Sequence, residues 1–294
     1  MRFLLLFLVE ETLAELINFR EVVLIILFNL AQREINSQDR ISMEKKSNIQ
    51  TIAVLYAMED EAKPFIQLTG ARKVTGVLNP KLPMIHYETM VKETKVHIVC
   101  NGKDKDFGVD LIGKLGASMA TQETIDKIKP DLIINAGTSG AIDFPEAKMG
   151  QVFLAVENAY INDRRTSMKG YEEYITGKVP LLKVAKLQKD LNLTGAIVSS
   201  SDSMDLIEPD VKMARSQKAQ LLDMEIGVIA WVARQYDIPL IALKGVSDIF
   251  HDVEDKQFLT EFYDNLDDTS TVIGNTVLKV IDYIDGKSLH DLQE

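Results

Sequence analysis

The sequence predicts an α/β protein, a three-layer sandwich in which a central mixed, mostly parallel sheet is flanked by helices. Short runs rich in β-branched residues alternate with longer segments of helical periodicity, as they do in chains of strand–helix–strand units. The length of 294 residues, 46% of them hydrophobic, is sufficient for one substantial core. Three of the apolar runs are followed by acidic residues, and strand ends of a parallel sheet line one crevice. We therefore expect one α/β domain with an acidic site.

The predicted elements begin near residue 49. Residues 51–56 are a β-branched and apolar run that predicts a strand, and residues 59–68 predict a helix. Residues 132–136 predict a buried strand, because they lie between a Pro-Asp pair and Gly137. Between these come two segments that predict a hairpin and one that predicts a long helix: residues 84–91 with 95–100, and residues 109–128.

The second half of the chain continues the alternation. Residues 226–234 are apolar on nearly all sides, including Trp231, which predicts a helix packed inside the molecule. Residues 240–246 predict the last long strand, and residues 259–284 a long closing helix. The other segments predict a strand, a helix and two further strands: residues 151–158, 181–191, 196–199 and 219–222.

Composition excludes several classes of function. The formal charge of −11 argues against a nucleic-acid partner, because phosphate binding needs clustered lysine and arginine. A lone cysteine, Cys100, excludes an intrachain disulfide framework and fits a reducing, cytoplasmic compartment, with a buried strand thiol as its expected role. The four histidines show no ligand-like spacing, so we expect surface or packed histidines and no metal.

The first 42 residues differ in character from the rest of the chain. They contain two short apolar stretches, residues 3–9 and 22–30, and a membrane span needs roughly 20 apolar residues. An amphipathic membrane-surface helix, an atypical targeting peptide and an upstream extension of the gene model all fit this segment. We therefore divide the chain into an amino-terminal extension, residues 1–48, and a functional domain, residues 49–294, with membrane contact expected, if anywhere, in residues 1–30.

A glycine-rich segment, NAGTSG at residues 135–140, follows the predicted strand 132–136. Its glycines allow a ligand to approach the backbone, and Thr138 and Ser139 offer hydroxyl groups. A tight turn that happens to be rich in glycine is the simpler interpretation. The segment matches neither a Walker loop nor a dinucleotide-binding fingerprint.

Acidic residues follow the first and the last long strands. Carboxylates at residues 59–61 complement the dipole of the predicted helix, and Ser247 with Asp248 can cap the element after the last strand. A carboxylate that faces a crevice can instead orient and deprotonate water. The spacing alone does not decide which acid at residues 59–61 faces inward.

Glu225 stands between an apolar strand and a helix that is apolar on all sides. Burying a polar group without a hydrogen bond costs ~2–7 kcal/mol, and an unpaired carboxylate in such a place carries a cost of at least this order. A ribose diol would supply two donors, and Met224 could pack against the sugar as a soft apolar contact. Backbone amides that satisfy a buried acid are the structural alternative.

Five motifs in order carry a resemblance to a known family. They are AMEDE at residues 57–61, NAGTSG at 135–140, SSDSMD at 200–205, DME at 223–225 and KGVSD at 244–248. Together they resemble 5'-methylthioadenosine/S-adenosylhomocysteine nucleosidase, a family of the purine nucleoside phosphorylase superfamily, over residues 49–292. Residues 162–165 and 283–289 resemble its plant-type branch more than the bacterial one.

The resemblance implies a nucleoside phosphorylase-like fold, a homodimer, no cofactor and no metal. It implies hydrolysis of the N-glycosidic bond of methylthioadenosine in methionine salvage, and it leaves open whether S-adenosylhomocysteine is a second substrate. Glu61 would activate water and Asp248 would protonate adenine N7. The implied substrate-binding residues are Thr138, Met204, Asp223, Met224, Glu225 and Ser247.

Two rival functions fit the same fold. A nucleoside phosphorylase would need a basic residue in the first strand–helix turn to hold phosphate, and residues 59–61 are acidic there. A vegetative storage protein, secreted and without activity, would fit the apolar stretch at residues 3–9. Such a protein would have no need of Glu61, Glu225 and Asp248, whose presence favours an enzyme.

Overall fold

Ten strands and seven helices form the part of the chain that the computed structural model describes, residues 48–254 and 257–293. The predictions made for residues 1–42 lie outside this part. The strands are β1 Thr51–Tyr56, β2 Arg72–Lys73, β3 Ile85–Val91, β4 Thr94–Cys100, β5 Leu132–Ile142, β6 Val152–Ile161, β7 Val179–Pro180, β8 Thr194–Ser200, β9 Leu221–Asp223 and β10 Leu240–Phe250. The helices are α1 Glu59–Thr69, α2 Gly113–Ile128, α3 Ala185–Asp190, α4 Glu208–Ser216, α5 Ile226–Gln235, α6 Gln257–Ile284 and α7 Leu289–Gln293.

All ten strands belong to one mixed sheet. At its centre β1 pairs in parallel with both β4 and β5, and β5 pairs in parallel with β10. Five of the strand pairings are parallel and five antiparallel. Five strands, β5, β10, β6, β8 and β9, pair in a closed ring, and β1, β4, β3 and β2 extend the sheet from β5.

Helices cover both faces of the sheet, which confirms the predicted three layers. Alternate residues of β1 point to opposite faces: Ala53 and Leu55 join one apolar cluster, and Ile52 and Val54 join the other. The first cluster contains residues of α2 and α5, and the second contains residues of α1, α6 and the two short helices α3 and α7. Because β1, β5 and β10 run parallel to one another, their carboxyl ends lie at the same edge of the sheet.

Two strands run further than the sequence predicted. β5 continues through the whole NAGTSG segment to Ile142, so the interpretation of that segment as a tight turn was wrong. β10 continues to Phe250, and Ser247 and Asp248 lie inside it rather than capping a following element. The register of β10 against β5 shifts between Val246 and Asp248, so the strand passes through an irregularity at the acid.

Other local predictions also need correction. The helix α4 was missed, because its nine residues are mostly polar and bury only a narrow stripe, Asp210, Val211 and Ala214. Trp231 lies on α5 as predicted, but the residue is 38% exposed and not packed inside the molecule. Cys100 is fully buried at the end of β4, as the sequence predicted.

Among the described residues, none of the helices combines the length and the apolar character needed to cross a bilayer.

Candidate active site

A cavity of about 500 Å³ opens at the side of the sheet where β1, β5 and β10 end. Residues from distant parts of the sequence line it, because the central strands place their carboxyl ends next to one another. Every site residue predicted from the sequence lies on its wall. These residues are Glu61, Thr138, Met204, Asp223, Met224, Glu225, Ser247 and Asp248.

Glu61 is held at the start of α1 by hydrogen bonds from two elements. One carboxylate oxygen, Oε1, accepts from the backbone N–H of Thr138 at 2.8 Å and from its hydroxyl at 2.7 Å. The other oxygen accepts from the N–H of Met58 at 3.2 Å. Backbone N–H groups can only donate, so Glu61 is arranged as an acceptor, and at 3% exposure its orientation is fixed. Of the three acids of the first turn, Glu61 is therefore the one that is buried and held by hydrogen bonds.

Asp248 also lines the cavity, and it lies inside β10. Burial raises the pKa of its carboxyl group to about 6; the hydroxyl of Ser247, which donates to Oδ1 at 2.7 Å, lowers the pKa, and the charge of Glu261 raises it. A carboxyl group with this pKa is partly protonated near neutral pH, and can donate a proton where an ordinary aspartate cannot.

Glycines of β5 make room for both carboxylates. A Cβ atom at Gly140 would lie 2.6 Å from Oδ2 of Asp248, and one at Gly137 would lie 3.0 Å from Oε1 of Glu61. The contact at Gly140 is shorter than a methyl group tolerates, and the contact at Gly137 would require the Glu61 side chain to shift by a few tenths of an ångström. The glycines of the NAGTSG segment therefore allow side chains of neighbouring elements to pack close to the backbone of β5. Neither glycine has the positive φ of a glycine turn.

Glu225 begins α5 and is buried, with 8% exposure. Its Oε1 accepts the backbone N–H of Gly113 at 2.8 Å, and Gly113 has a φ of +86°, in the region that favours glycine. Burial and the charge of Asp223 raise the pKa of Glu225 to about 7, while Lys244 and the Gly113 N–H lower it. Two hydroxyl donors from a ligand would favour the ionised form of this carboxylate.

Asp223 differs from the other acids, because protein groups already surround it. Its oxygens accept from the hydroxyl of Ser200 at 2.6 Å and from the N–H of Ile226 at 2.9 Å. Lys244, which is 1% exposed, places Nζ at 2.7 Å from Oδ2 of Asp223. Burial by itself lowers the pKa of Lys244, but Asp223 and Glu225 outweigh it and the net shift is upwards. The positive charge of Lys244 thus offsets the negative charges of Asp223 and Glu225.

Two features of the site were not predicted from the sequence: the role of Lys244 and the apolar end of the cavity. Lys244 is the first residue of the KGVSD motif and lies inside β10, and a lysine within an apolar strand was the signal for a buried ion pair. The apolar wall is formed where β10 ends and α6 begins. Its side chains are Phe250, Phe258, Phe262, Tyr263 and Leu266. Aromatic residues near the start of the closing helix were visible in the sequence, but no spacing tied them to the acids.

The histidines require a further correction. His86 and His97 are close together on the hairpin of β3 and β4, with ring nitrogens 2.9 Å apart. Both are packed in the interior, as one of the predicted alternatives stated, but they are not scattered, because the antiparallel register brings them together with Glu88. None of these three residues lines the cavity.

Comparisons with known proteins give a consistent assignment. The family model described as "Phosphorylase superfamily" matches residues 51–282. The 5'-methylthioadenosine nucleosidase of Arabidopsis thaliana is 33% identical over 90% of this chain and 97% of its own length. The 5'-methylthioadenosine/S-adenosylhomocysteine nucleosidase of the same plant is 34% identical over 84% of this chain and 97% of its own length.

A solved structure supports the same assignment at the level of the fold. The apo form of Arabidopsis thaliana 5'-methylthioadenosine nucleosidase superposes with a TM-score of 0.80 and 34% sequence identity, over 84% of this chain and all of that one. These matches confirm the resemblance found in the five motifs, including its plant-type character. The chain belongs to the phosphorylase superfamily and, within it, to the plant-type branch of the 5'-methylthioadenosine/S-adenosylhomocysteine nucleosidases.

Proposed function

We propose that the protein hydrolyses the N-glycosidic bond of 5'-methylthioadenosine, releasing adenine and 5-methylthioribose, as a step in methionine salvage. The observation that carries this proposal is that two carboxyl groups in different environments line one cavity. Asp248 has a pKa raised to about 6 by burial, whereas Glu61 is surrounded by hydrogen-bond donors. Such a pair suits a reaction that needs both a general acid and a general base.

Asp248 acts on the leaving base in this proposal. Cleavage of the bond between C1' and N9 leaves electrons on adenine, and a proton delivered to N7 stabilises them. The sugar becomes similar to an oxocarbenium ion as the bond breaks. Asp248 donates the proton in its neutral form, and Ser247 keeps the carboxyl group oriented through the 2.7 Å hydrogen bond.

Glu61 acts on the attacking water. The water adds to C1' from the face opposite adenine and gives its proton to the carboxylate as the C–O bond forms. Thr138 fixes Oε1 of Glu61 with two hydrogen bonds, so the orientation of the base is set before substrate binds.

The remaining predicted residues position the nucleoside. Glu225 accepts hydrogen bonds from the ribose hydroxyls, and Met224 packs against the sugar. Met204 lies beside adenine, with the backbone of residues 203–205 at the base edge. Asp223 supports this arrangement indirectly, since its side chain has no exposed surface and is paired with Lys244. We therefore assign Asp223 a positioning role rather than contact with the substrate.

Water is favoured over phosphate as the nucleophile. The basic residue among the described residues that line the cavity is Lys103, and its ammonium group is paired with Asp110 at 2.8 Å. A phosphate ion would also meet the negative charge of Glu61 and Asp60 on the same wall. A second substrate, S-adenosylhomocysteine, is suggested by the name of one Arabidopsis relative.

We further propose that the protein works as a cytoplasmic homodimer. Four large apolar side chains between residues 107 and 115 are exposed, and two of them also line the cavity: Phe107, Val109, Ile112 and Leu115. An exposed apolar segment at the mouth of a binding site is typical of a surface covered by another chain. The lone buried thiol fits a reducing compartment.

The reaction is tested by incubation with methylthioadenosine, S-adenosylhomocysteine, adenosine and inosine, with and without phosphate. Free base and free methylthioribose are measured together. We expect adenine release from methylthioadenosine at a rate independent of phosphate. Formation of a sugar 1-phosphate would support the phosphorylase alternative, and a chain inert towards all four compounds would support a storage or binding protein.

A further inference from the structure

Two histidines and a glutamate meet on the hairpin of β3 and β4, outside the catalytic cavity. His97 stands directly opposite Glu88 in the antiparallel register, and His86 precedes Glu88 by two residues, so the three side chains share one face of the sheet. Nε2 of His86 lies 2.9 Å from Nδ1 of His97. Oε1 of Glu88 lies 3.2 Å from Nδ1 of His97 and 3.7 Å from Nε2 of His86.

Hydrogen bonding does not satisfy this cluster. Two N–H bonds cannot point at each other across 2.9 Å, so at most one of the two inward nitrogens carries a proton. Oε1 of Glu88 is a further acceptor beside them. Nδ1 of His86, which is buried, has no partner among the described residues. Burial also lowers the pKa of His86 and brings that of His97 to about 4, so both rings are neutral near pH 7.

The spacing of the three atoms fits a tetrahedral transition-metal ion. Zinc bound to nitrogen or oxygen at about 2.0–2.1 Å has tetrahedral ligands about 3.3–3.4 Å apart. The three distances in the cluster, 2.9, 3.2 and 3.7 Å, bracket this value. Two imidazoles and one carboxylate form a donor set that zinc accepts, whereas calcium and magnesium prefer oxygen ligands. The side chain of Glu88 is 24% exposed, which leaves an open side for a water ligand.

We propose that His86, Glu88 and His97 form a binding site for a divalent transition-metal ion of the zinc type, which ties β3 to β4. Lys95 is the competing cation, because its Nζ lies 3.3 Å from Oε2 of Glu88. A metal ion must share Glu88 with this ammonium group, and the two positive charges repel each other. Lys95 therefore weakens metal binding. None of these residues lines the cavity, so the site is independent of the proposed reaction.

The test uses the full chain without an affinity tag, freed of metal with a chelator. Zinc binding is measured by calorimetry, and Co²⁺ binding by visible absorption, which is strong for four-coordinate cobalt. We expect one ion per chain. Glu88→Gln weakens binding at least tenfold, and Lys95→Met strengthens it several-fold. Glu93→Gln, in the turn of the same hairpin, is the matched control and leaves the affinity unchanged.

Opposite effects of Glu88→Gln and Lys95→Met distinguish a metal site from a hydrogen-bonded pair of histidines. Both residues lie at the exposed edge of the cluster, so circular dichroism and adenine release serve as checks of the fold. A double variant, His86→Asn with His97→Asn, loses the ion. Absence of saturable zinc binding, or one zinc ion bound equally well by wild type and Glu88→Gln, would overturn the proposal.

Discussion

At the scale of single residues, environment separates carboxyl groups that are chemically alike. Glu61 accepts three hydrogen bonds, whereas Asp248 receives one from Ser247 and is otherwise enclosed. Burial without sufficient donors favours the neutral acid, and this raises the pKa of Asp248 to about 6. The proposed division into base and acid rests on this difference.

Asp248→Asn removes the proton donor and keeps the shape of the side chain. We expect adenine release to fall by at least about 10²-fold, the usual contribution of a general acid. Thermal unfolding should stay close to that of wild type. Asp264→Asn, an exposed aspartate on α6, is the matched control. Turnover of Asp248→Asn near the wild-type rate would contradict the assignment.

The pH profile tests the pKa of Asp248 directly. The acid works when protonated, so kcat/KM should decrease as pH rises above about 6 in the free enzyme. Ser247 lowers this pKa and Glu261 raises it. Ser247→Ala should therefore move the alkaline limb to higher pH, and Glu261→Gln should move it to lower pH. Shifts of both variants in the same direction would show that another group controls the limb.

At the scale of elements, the site depends on the pairing of β5 with β10. The NAGTSG segment is a strand whose glycines admit carboxylates from both sides, and the shift of register in β10 occurs beside Asp248. The strand β5 is thus close to Glu61 at Gly137 and close to Asp248 at Gly140. A substitution in β5 should lower the rate of adenine release more, the closer the new side chain lies to Glu61 or Asp248.

Alanine at these two glycines should have graded effects. The Cβ of Gly140→Ala would lie 2.6 Å from Asp248, so the acid must move and adenine release should fall strongly. The Cβ of Gly137→Ala would lie 3.0 Å from Glu61, which can shift by a few tenths of an ångström, and the loss should be smaller. Steady-state kinetics and melting temperature are measured on both. The reverse order of activity would contradict this account of the segment.

Lys244 joins β10 to the end of β9, and its removal leaves buried carboxylates without a counter-charge. We expect Lys244→Met to lower the free energy of unfolding by about 3–5 kcal/mol, measured in urea. Adding Asp223→Asn should restore part of the loss, because one buried charge is then removed. Lys212→Met, at an exposed lysine of α4, should change stability by less than about 0.5 kcal/mol. A Lys244→Met protein as stable as that control would refute the role of the pair.

At the scale of the whole molecule, an acidic chain carries an apolar segment at the mouth of its cavity. The net charge of −11 disfavours nonspecific association, so an exposed run of large apolar side chains indicates a specific partner surface. Val109 and Ile112 of this segment also line the cavity, so the proposed dimer interface would adjoin the site.

Charge placed in this segment should separate the proposed dimer. We expect Leu115→Glu, at a side chain that is 70% exposed, to shift the mass in solution from dimer to monomer. Met90→Glu, at an exposed residue of β3, should remain dimeric. Light scattering after size-exclusion chromatography measures both. A wild-type protein that is monomeric at micromolar concentration would contradict the proposal.

The sequence by itself determined the order of the strands and long helices, because their periodic apolar patterns depend on local chemistry. Its five motifs also determined the family, and the eight site residues predicted from them line the cavity, but the apolar end of the cavity was not predicted. Only the tertiary structure decided which acid of residues 59–61 faces inward, since Thr138 reaches Glu61 from a strand far along the chain. The extension of β5 through NAGTSG, the pairing of Lys244 with Asp223 and the meeting of His86 with His97 also depend on neighbouring strands. These contacts depend on which strands pair, and a local alternation of apolar residues shows which face a side chain takes but not which strand lies beside it.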